Sequence, residues 1–328
     1  MVCSKFSGRF WVHSDKGSEM GKLRIGITTS SFASSNRAPR AVLERAGVEI
    51  VDNPFGRRLT EQEAFEFLAD KDGLIAGLEP LNRRVIENAK RLKAIARVGI
   101  GIDNVDAKAA EEFHVKVSNT PDGPTMAVAE MTIAAALALS RQLFEINRKM
   151  HQGQWPKTIS KGLAGQKILF VGYGRTGRKT ADLMRPFGVK IFVADPYLAS
   201  SDLALGEQYV TLEEGIAIAD IISLHASGNK TIIGKNEFEL MKNGVILLNS
   251  ARGGLVSEEA LIAAFDSGKL GGAWFDAFWE EPYKGRLLNY DNMLLTPHVC
   301  TYTEQCRLSM EMDAVNNLLR DLDVNRRS

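Results

Sequence analysis

The stretch FVGYGRTG, residues 170–177, sets glycines at 172, 174 and 177, a G-x-G-x-x-G spacing that suits the phosphates of a dinucleotide. What surrounds the glycines gives the pattern weight. KILFV before them is a continuous apolar run, as expected of a strand buried on both faces, and a helical pattern opens at Arg175. In that setting Gly172 permits a tight turn, Gly174 lets a pyrophosphate come close, and Gly177 lets the helix pack against the strand. Arg175 and Thr176 then open a helix whose unpaired N–H groups favour an anion. A second apolar run, KIFVAD, ends in Asp195, 18 residues beyond Gly177, where an acid accepts hydrogen bonds from an adenosine ribose and repels a 2′-phosphate. Pro196 and Tyr197 follow, with no Arg to receive a phosphate, so the expected cofactor is NAD.

Other chemistry-bearing residues sit where further strands should end. His225 follows IISL, Ser250, Ala251 and Arg252 follow VILLN, and His298 follows MLLTP. The run GAWFDAFWEEP supplies Asp276, Glu280 and Glu281. An Arg, an acid and a His at neighbouring strand ends suit hydride transfer to a 2-keto acid. Arg holds a carboxylate with two parallel bonds, His donates a proton, and a carboxylate orients the His. Spacing alone does not choose between His225 and His298. His13 and His114 read as surface or extension residues, and His151 has no evident partner. Bland readings stand beside these: Arg252 as a solvated loop residue, Glu280 and Glu281 as an exposed turn ahead of Pro282. No set of metal ligands is expected.

These residues need a scaffold, and the chain alternates short β-rich runs with helical patterns from Lys22 onward. LRIGITT, VEIVDN, GLIAG, LKAIARVG and VKVSN read as strands, with amphipathic helices between them. Pro39 suits a first helical turn, and Thr60 with Glu63 forms a capping-box signature. TMAVAEMTIAAALALSRQLFEINRKM reads as one long apolar helix that packs between domains or against another subunit. A second series then runs through KILFVG, KIFVAD, IISLH, GVILLNSA, GGAWFDAF and MLLTPH to a last helical stretch at residues 303–322. Two such series predict an α/β protein of two doubly wound parallel-sheet domains with a cleft between them.

Bulk properties agree. A chain of 328 residues has room for two cores, and 41 Lys and Arg against 40 Asp and Glu offer no basic footprint for nucleic acid or an anionic membrane. Cys3, Cys300 and Cys306 form no disulfide framework, which suits a reducing cytoplasm. No apolar run approaches the ~20 residues of a membrane-spanning helix. Residues 1–21 lack the apolar core of a signal peptide and are treated as an N-terminal extension.

Several motifs, in order, resemble the D-isomer-specific 2-hydroxyacid dehydrogenases, whose members include D-3-phosphoglycerate dehydrogenases, glyoxylate/hydroxypyruvate reductases and formate dehydrogenases. They are ARVGIGIDNVD, VSNTPDGPTMAVAEMT, GQW, FVGYGRTG with Asp195, LLNSARGGLVSEEAL, GAWFDAFWEEP and LLTPH, spread from Lys22 to the C-terminus. The resemblance implies a flavodoxin-like substrate domain from residues 22–118 plus 297–328 and a Rossmann NAD domain over 119–296. It implies that Arg252 binds the substrate carboxylate and carbonyl, that His298 is the general acid/base and that Glu281 orients and charges it. NAD contacts fall at Arg175, Thr176, Asp195, Ser250, Ala251 and Asp276, with Ala226 and Ile100 lining the cleft. Backbone N–H groups at Gly77, Ile100 and Gly101 would hold the substrate carboxylate, hinges would lie near 119–121 and 296–297, and the long helical segment would mediate a homodimer.

The implied reaction interconverts a small D-2-hydroxy acid and its 2-keto acid, with 3-phosphoglycerate and phosphohydroxypyruvate as the first candidates. Alternatives are a glyoxylate/hydroxypyruvate reductase and a non-catalytic NAD-sensing scaffold. Three departures from the family pattern bear on this. ASGNKT replaces a Pro-containing run after His225, Cys300 and Thr301 replace small residues after His298, and Gly77 stands where phosphoglycerate dehydrogenases carry an Arg. About 30 residues follow His298, too few for a C-terminal regulatory domain.

Overall fold

Strands buried on both faces and helices with one apolar side assemble into two sheets, each wholly parallel. The computed structural model describes residues 22–199 and 202–324, and the extension expected over residues 1–21 lies outside them. The first sheet contains β1 (Arg24–Ile27), β2 (Glu49–Asp52), β3 (Gly73–Ala76), β4 (Ala94–Arg97) and β5 (Lys116–Ser118). Its order is β2-β1-β3-β4-β5, and all four pairings are parallel. Its crossovers are α1 (Ala38–Arg45), α2 (Glu61–Leu68), α3 (Arg83–Asn88) and α4 (Ala107–Glu112). Thr60 caps α2 as its sequence predicts, accepting from Glu63 N while the Glu63 carboxylate accepts from Thr60 N. A cap of this kind stabilises a helix by about 1 kcal/mol.

Two helices then lead to the second sheet, α5 (Pro124–Ser140) and α6 (Leu143–His151). The single long helix expected here is broken, and the two limbs meet at 63°. Gln142 supplies the break by taking a left-handed conformation at φ 53°, which no α-helix continues. Ala127 of α5 belongs to a core of the first sheet, while Ala135 and Ala136 belong to a core of the second. No single helix among the described residues is long and apolar enough to cross a membrane.

The second sheet is built from β6 (Lys167–Val171), β7 (Lys190–Ala194), β8 (Glu207–Tyr209), β9 (Ile221–Leu224), β10 (Val245–Asn249), β11 (Leu270–Phe275) and β12 (Met293–Leu295). Its order, β12-β11-β10-β9-β6-β7-β8, reverses direction between β6 and β9. Helices α7 (Arg175–Met184), α8 (Leu212–Ile218), α9 (Lys235–Leu240) and α10 (Glu258–Asp266) cover it. Strand β6 shows why its sequence is apolar throughout: Leu169 and Val171 enter the core on one face, Ile168 and Phe170 that on the other. The short strand β8, EQY, carries no apolar pattern and is legible only from its pairing with β7.

The chain finally returns to the first sheet. Helix α11 (Glu304–Asp321) lays Met310, Ala314, Val315 and Leu318 against Ile25, Ile27 and Ile75. Each large side chain so buried contributes roughly 2 kcal/mol.

Candidate active site

In open parallel sheets ligands lie beyond the carboxyl ends of the strands where the order reverses. Here those points are β1/β3 in the first sheet and β6/β9 in the second. Both border one cleft of about 560 Å³, lined by residues from the two sheets.

On the second sheet the glycine turn divides its work. Gly172 has φ 85°, and a methyl group there would lie 2.5 Å from Ala226 N. At Gly177 a methyl would lie 2.6 Å from Gly172 O, so helix and turn touch directly. Gly174 differs: it is the N-cap of α7, has no side-chain cap, and faces open space. A helix N-terminus with free N–H groups behind an unobstructed glycine fits a pyrophosphate. Asp195 stands at the end of β7, with one oxygen accepting from Tyr173 N (2.7 Å) and the other from Tyr197 N (2.9 Å). Each oxygen retains a lone pair for a ribose hydroxyl. Arg175 reaches across to Asp122 at 2.6 Å, while Thr176, Ala226, Ser250 and Ala251 line the cleft.

The residues proposed for proton transfer come together. His298 Nδ1 lies 3.0 and 3.1 Å from the two carboxylate oxygens of Glu281, one of which also accepts from Phe278 N. Burial works to raise the Glu281 carboxyl, but the His298 ring, the Phe278 N–H and the charge of Arg58 outweigh it and hold it below its ordinary value. Glu280, next in the chain, points into solvent. The geometry also separates the two histidines left open by spacing. His225 sits on Ser223 Oγ at 2.8 Å and stacks on Phe170, and burial pushes its ring down to about 4. His114 and His151 are exposed, and His13 lies outside the described residues.

Asp276 is 1% exposed and spends its oxygens inside the protein. It accepts from Thr296 Oγ (2.6 Å), Val299 N (2.9 Å) and Cys300 N (3.0 Å), so it ties the side chain before His298 and the backbone after it. Expected as an NAD contact, it lines the cleft and acts first as the clasp of the His298 loop. Burial, then the charge of Asp276, pushes the Cys300 thiol up, which leaves a packed, unreactive side chain. Asn249, not singled out by sequence, brackets the loop before Arg252 by accepting from Ala251 N and donating to Arg252 O.

Arg252 extends over Gly101 so closely that a methyl there would meet Nη2 at 1.8 Å. Its Nε and Nη2 donate to Asp103 Oδ2 at 3.0 and 2.8 Å, an ion pair across the cleft. The N–H groups of Ile100 and Gly101 have no partner among the described residues. Gly77 is different: its N–H, expected to face a substrate carboxylate, donates to the Glu79 carboxylate at 3.1 and 3.2 Å. Glu79 lies two residues on and folds back over it. Arg97, at the end of β4, also borders the cleft and is absent from the sequence reading, because inside AIARVG it looks like part of a strand. No group of three or more His, Cys, Asp or Glu among the described residues is arranged to hold a metal ion.

Comparison with known proteins agrees with this geometry. Residues 133–300 match the model of the family described as D-isomer specific 2-hydroxyacid dehydrogenase, NAD binding domain. Over 276 residues the chain is 33% identical to a hydroxypyruvate reductase of Thermotoga maritima, covering 81% of this chain and 90% of that protein. It is 36% identical over 277 residues to a D-3-phosphoglycerate dehydrogenase of Methanocaldococcus jannaschii, covering 81% of this chain but only 52% of that protein. Among solved structures, a glyoxylate reductase from Paecilomyes thermophila superposes with a TM-score of 0.81 at 28% identity, covering 93% and 96% of the two chains.

Proposed function

This chain belongs to the D-isomer specific 2-hydroxyacid dehydrogenase family, and we propose that it reduces a small 2-keto acid with NADH through Arg252, Glu281 and His298. The observation that carries the assignment of roles is the contact of His298 Nδ1 with both oxygens of Glu281, on the cleft that Arg252 also borders. Nδ1–H of His298 donates to Glu281, which fixes the ring and favours its protonated form, so that Nε2–H can protonate the substrate oxygen. Arg252 exchanges Asp103 for the substrate carboxylate and polarises the adjacent carbonyl, helped by the N–H groups of Ile100 and Gly101. When bound, the nicotinamide supplies the hydride that reduces the carbonyl carbon. The N-terminus of α7, Asp195 and the wall of Thr176, Ala226, Ser250 and Ala251 would hold the cofactor. Closure of the halves over residues 22–118 with 297–328 and over 119–296 would exclude water.

A homodimer is part of the same reading. Helix α6 has no buried residue, and it leaves Leu143, Phe144 and Met150 exposed, followed by Trp155 and Ile159. An apolar stretch of that kind favours a protein partner.

The test is NADH oxidation by the purified chain with glyoxylate, hydroxypyruvate, pyruvate, phosphohydroxypyruvate and 2-ketoglutarate. Turnover is expected with at least one acid, falling by about two to four orders of magnitude in His298→Ala. Activity that survives this substitution would remove His298 from the role given to it.

A further inference from the structure

His298, the proton donor of the reaction above, stands in a backbone conformation that its side chain does not favour. Its φ is 56°, in the left-handed region that residues with a Cβ enter at a cost. Such a conformation persists only where its surroundings impose it. Here the constraint begins on two parallel strands. Phe275 of β11 lies opposite Leu295 of β12, so Asp276 and Thr296 follow side by side where the strands end. Alternation along β11 puts Trp274 on the same face as Asp276.

Thr296 is bonded at every polar atom. Its N–H donates to Phe275 O at 3.1 Å, and its carbonyl accepts from His298 N at 2.9 Å. Its Oγ accepts from Trp274 Nε1 at 2.9 Å and donates to Asp276 Oδ1 at 2.6 Å. The ends of this chain fix its direction. An indole N–H only donates and an ionised carboxylate only accepts, so the one hydroxyl proton points at Asp276. Trp274 is fully buried among Phe170 and Cys300 in a core of the second sheet, which holds the indole in place. Asp276 carries that order onward to the N–H groups of Val299 and Cys300, at 2.9 and 3.0 Å. His298 is therefore gripped at Thr296 O before it and through Asp276 after it. The same end of β11 leads into the loop that carries Glu281, so the relay sets the ring against its carboxylate partner.

We infer that Trp274 and Thr296 are positioning residues for proton transfer: acting through Asp276, they hold His298 left-handed, with Nδ1 on Glu281 and Nε2 left for the substrate. Without the Thr296 hydroxyl, Asp276 loses one of its three donors and the indole N–H loses its acceptor. The loop then relaxes toward an ordinary φ and the ring leaves the line of the substrate oxygen. Neither Trp274 nor Thr296 is among the residues lining the cleft, so a loss they cause reaches the reaction through His298. The inference rests on the role given to His298 in the dehydrogenase reading.

The experiment compares Thr296→Val, Thr296→Ser and Trp274→Phe with the wild type, using NADH and whichever keto acid of the panel turns over best. It reads kcat, KM, the Kd for NADH from the cofactor's own fluorescence, the melting temperature, and the ratio of kcat in H2O to kcat in D2O. Thr296→Val, close in shape but without the hydroxyl, should lower kcat by about ten- to hundredfold, the scale of a misplaced reacting group. KM and Kd should stay within about twofold, since the lost constraint acts in the transition state. The solvent isotope effect should rise, because a displaced His298 slows proton transfer relative to the other steps. Thr296→Ser keeps the hydroxyl and should restore most of the activity. Trp274→Phe leaves the hydroxyl free to turn and should show the same signature to a smaller degree; it decides the matter if Thr296→Val does not fold. A kcat indifferent to loss of the hydroxyl, or one that falls with the isotope effect unchanged as in a merely unstable protein, overturns this inference alone. So does a weakened grip on NADH as the main effect, which would give the relay to the cofactor. Turnover of none of the acids by the wild type overturns the dehydrogenase reading and this inference with it.

Discussion

His225 and His298 both follow a strand, and their surroundings give them opposite uses. His298 has a carboxylate on one ring nitrogen, whereas His225 is turned onto Phe170 and its ring, among the described residues, bonds only Ser223. The folded His225 ring takes a proton only near pH 4, against about 6.5 when unfolded. Between those values the unfolded chain binds the extra proton, so stability is full above about 6.5 and is lost as pH falls through this window. The loss is on the order of 3 kcal/mol at most. Melting temperature measured from pH 7 down to pH 4 should therefore drop less steeply in His225→Gln than in the wild type. An identical acid limb in the two proteins would mean that other groups govern it. Sequence had no means of separating these histidines, because the difference lies in a ring and a hydroxyl brought together by β6 and β9.

Elements were legible where one pattern dominated. The apolar run of β6, the glycines after it and the Thr60–Glu63 cap each declare a local structure, and each is present. Strand β8 was not legible, since EQY has no apolar face and owes its conformation to β7. The α5–α6 break was hidden for another reason. Every residue from Thr125 to Met150 tolerates a helix, and only Gln142 at φ 53° reveals the turn. A side chain held there costs about 1 kcal/mol that glycine avoids. Gln142→Gly is expected to leave the fold intact and to raise stability in a denaturant melt by up to about 1 kcal/mol. A fall in stability instead would show that the Gln142 side chain makes contacts worth more than the strain. Glu79 and Arg97 escaped notice in the same way: Glu79 lies in no quoted motif, Arg97 inside ARVGIGIDNVD reads as the end of a strand, and only tertiary packing sets both on the cleft.

The whole molecule is two sheets joined across one site, and an ion pair spans them. Arg252, after β10, holds Asp103, after β4. Both side chains are partly exposed, so the pair is worth about 0–1 kcal/mol. A substrate carboxylate that takes Asp103's place must overcome that contact, which raises the apparent KM. Asp103→Asn should lower KM for the best acid by about two- to fivefold at low salt, with the difference shrinking as salt rises. A higher KM in the variant would assign Asp103 to positioning Arg252 instead.

One connection in this architecture sets a timetable. Helix α11 covers Ile25, Ile27 and Ile75, yet it follows the entire second sheet in the chain. At the usual pace of translation the ribosome delivers β1 to β5 on the order of ten seconds before the helix that closes their core. During that interval the early strands present an uncovered apolar face, and a chaperone or an unproductive neighbour competes for it with residues not yet synthesised. The half that is made first is the half that is finished last.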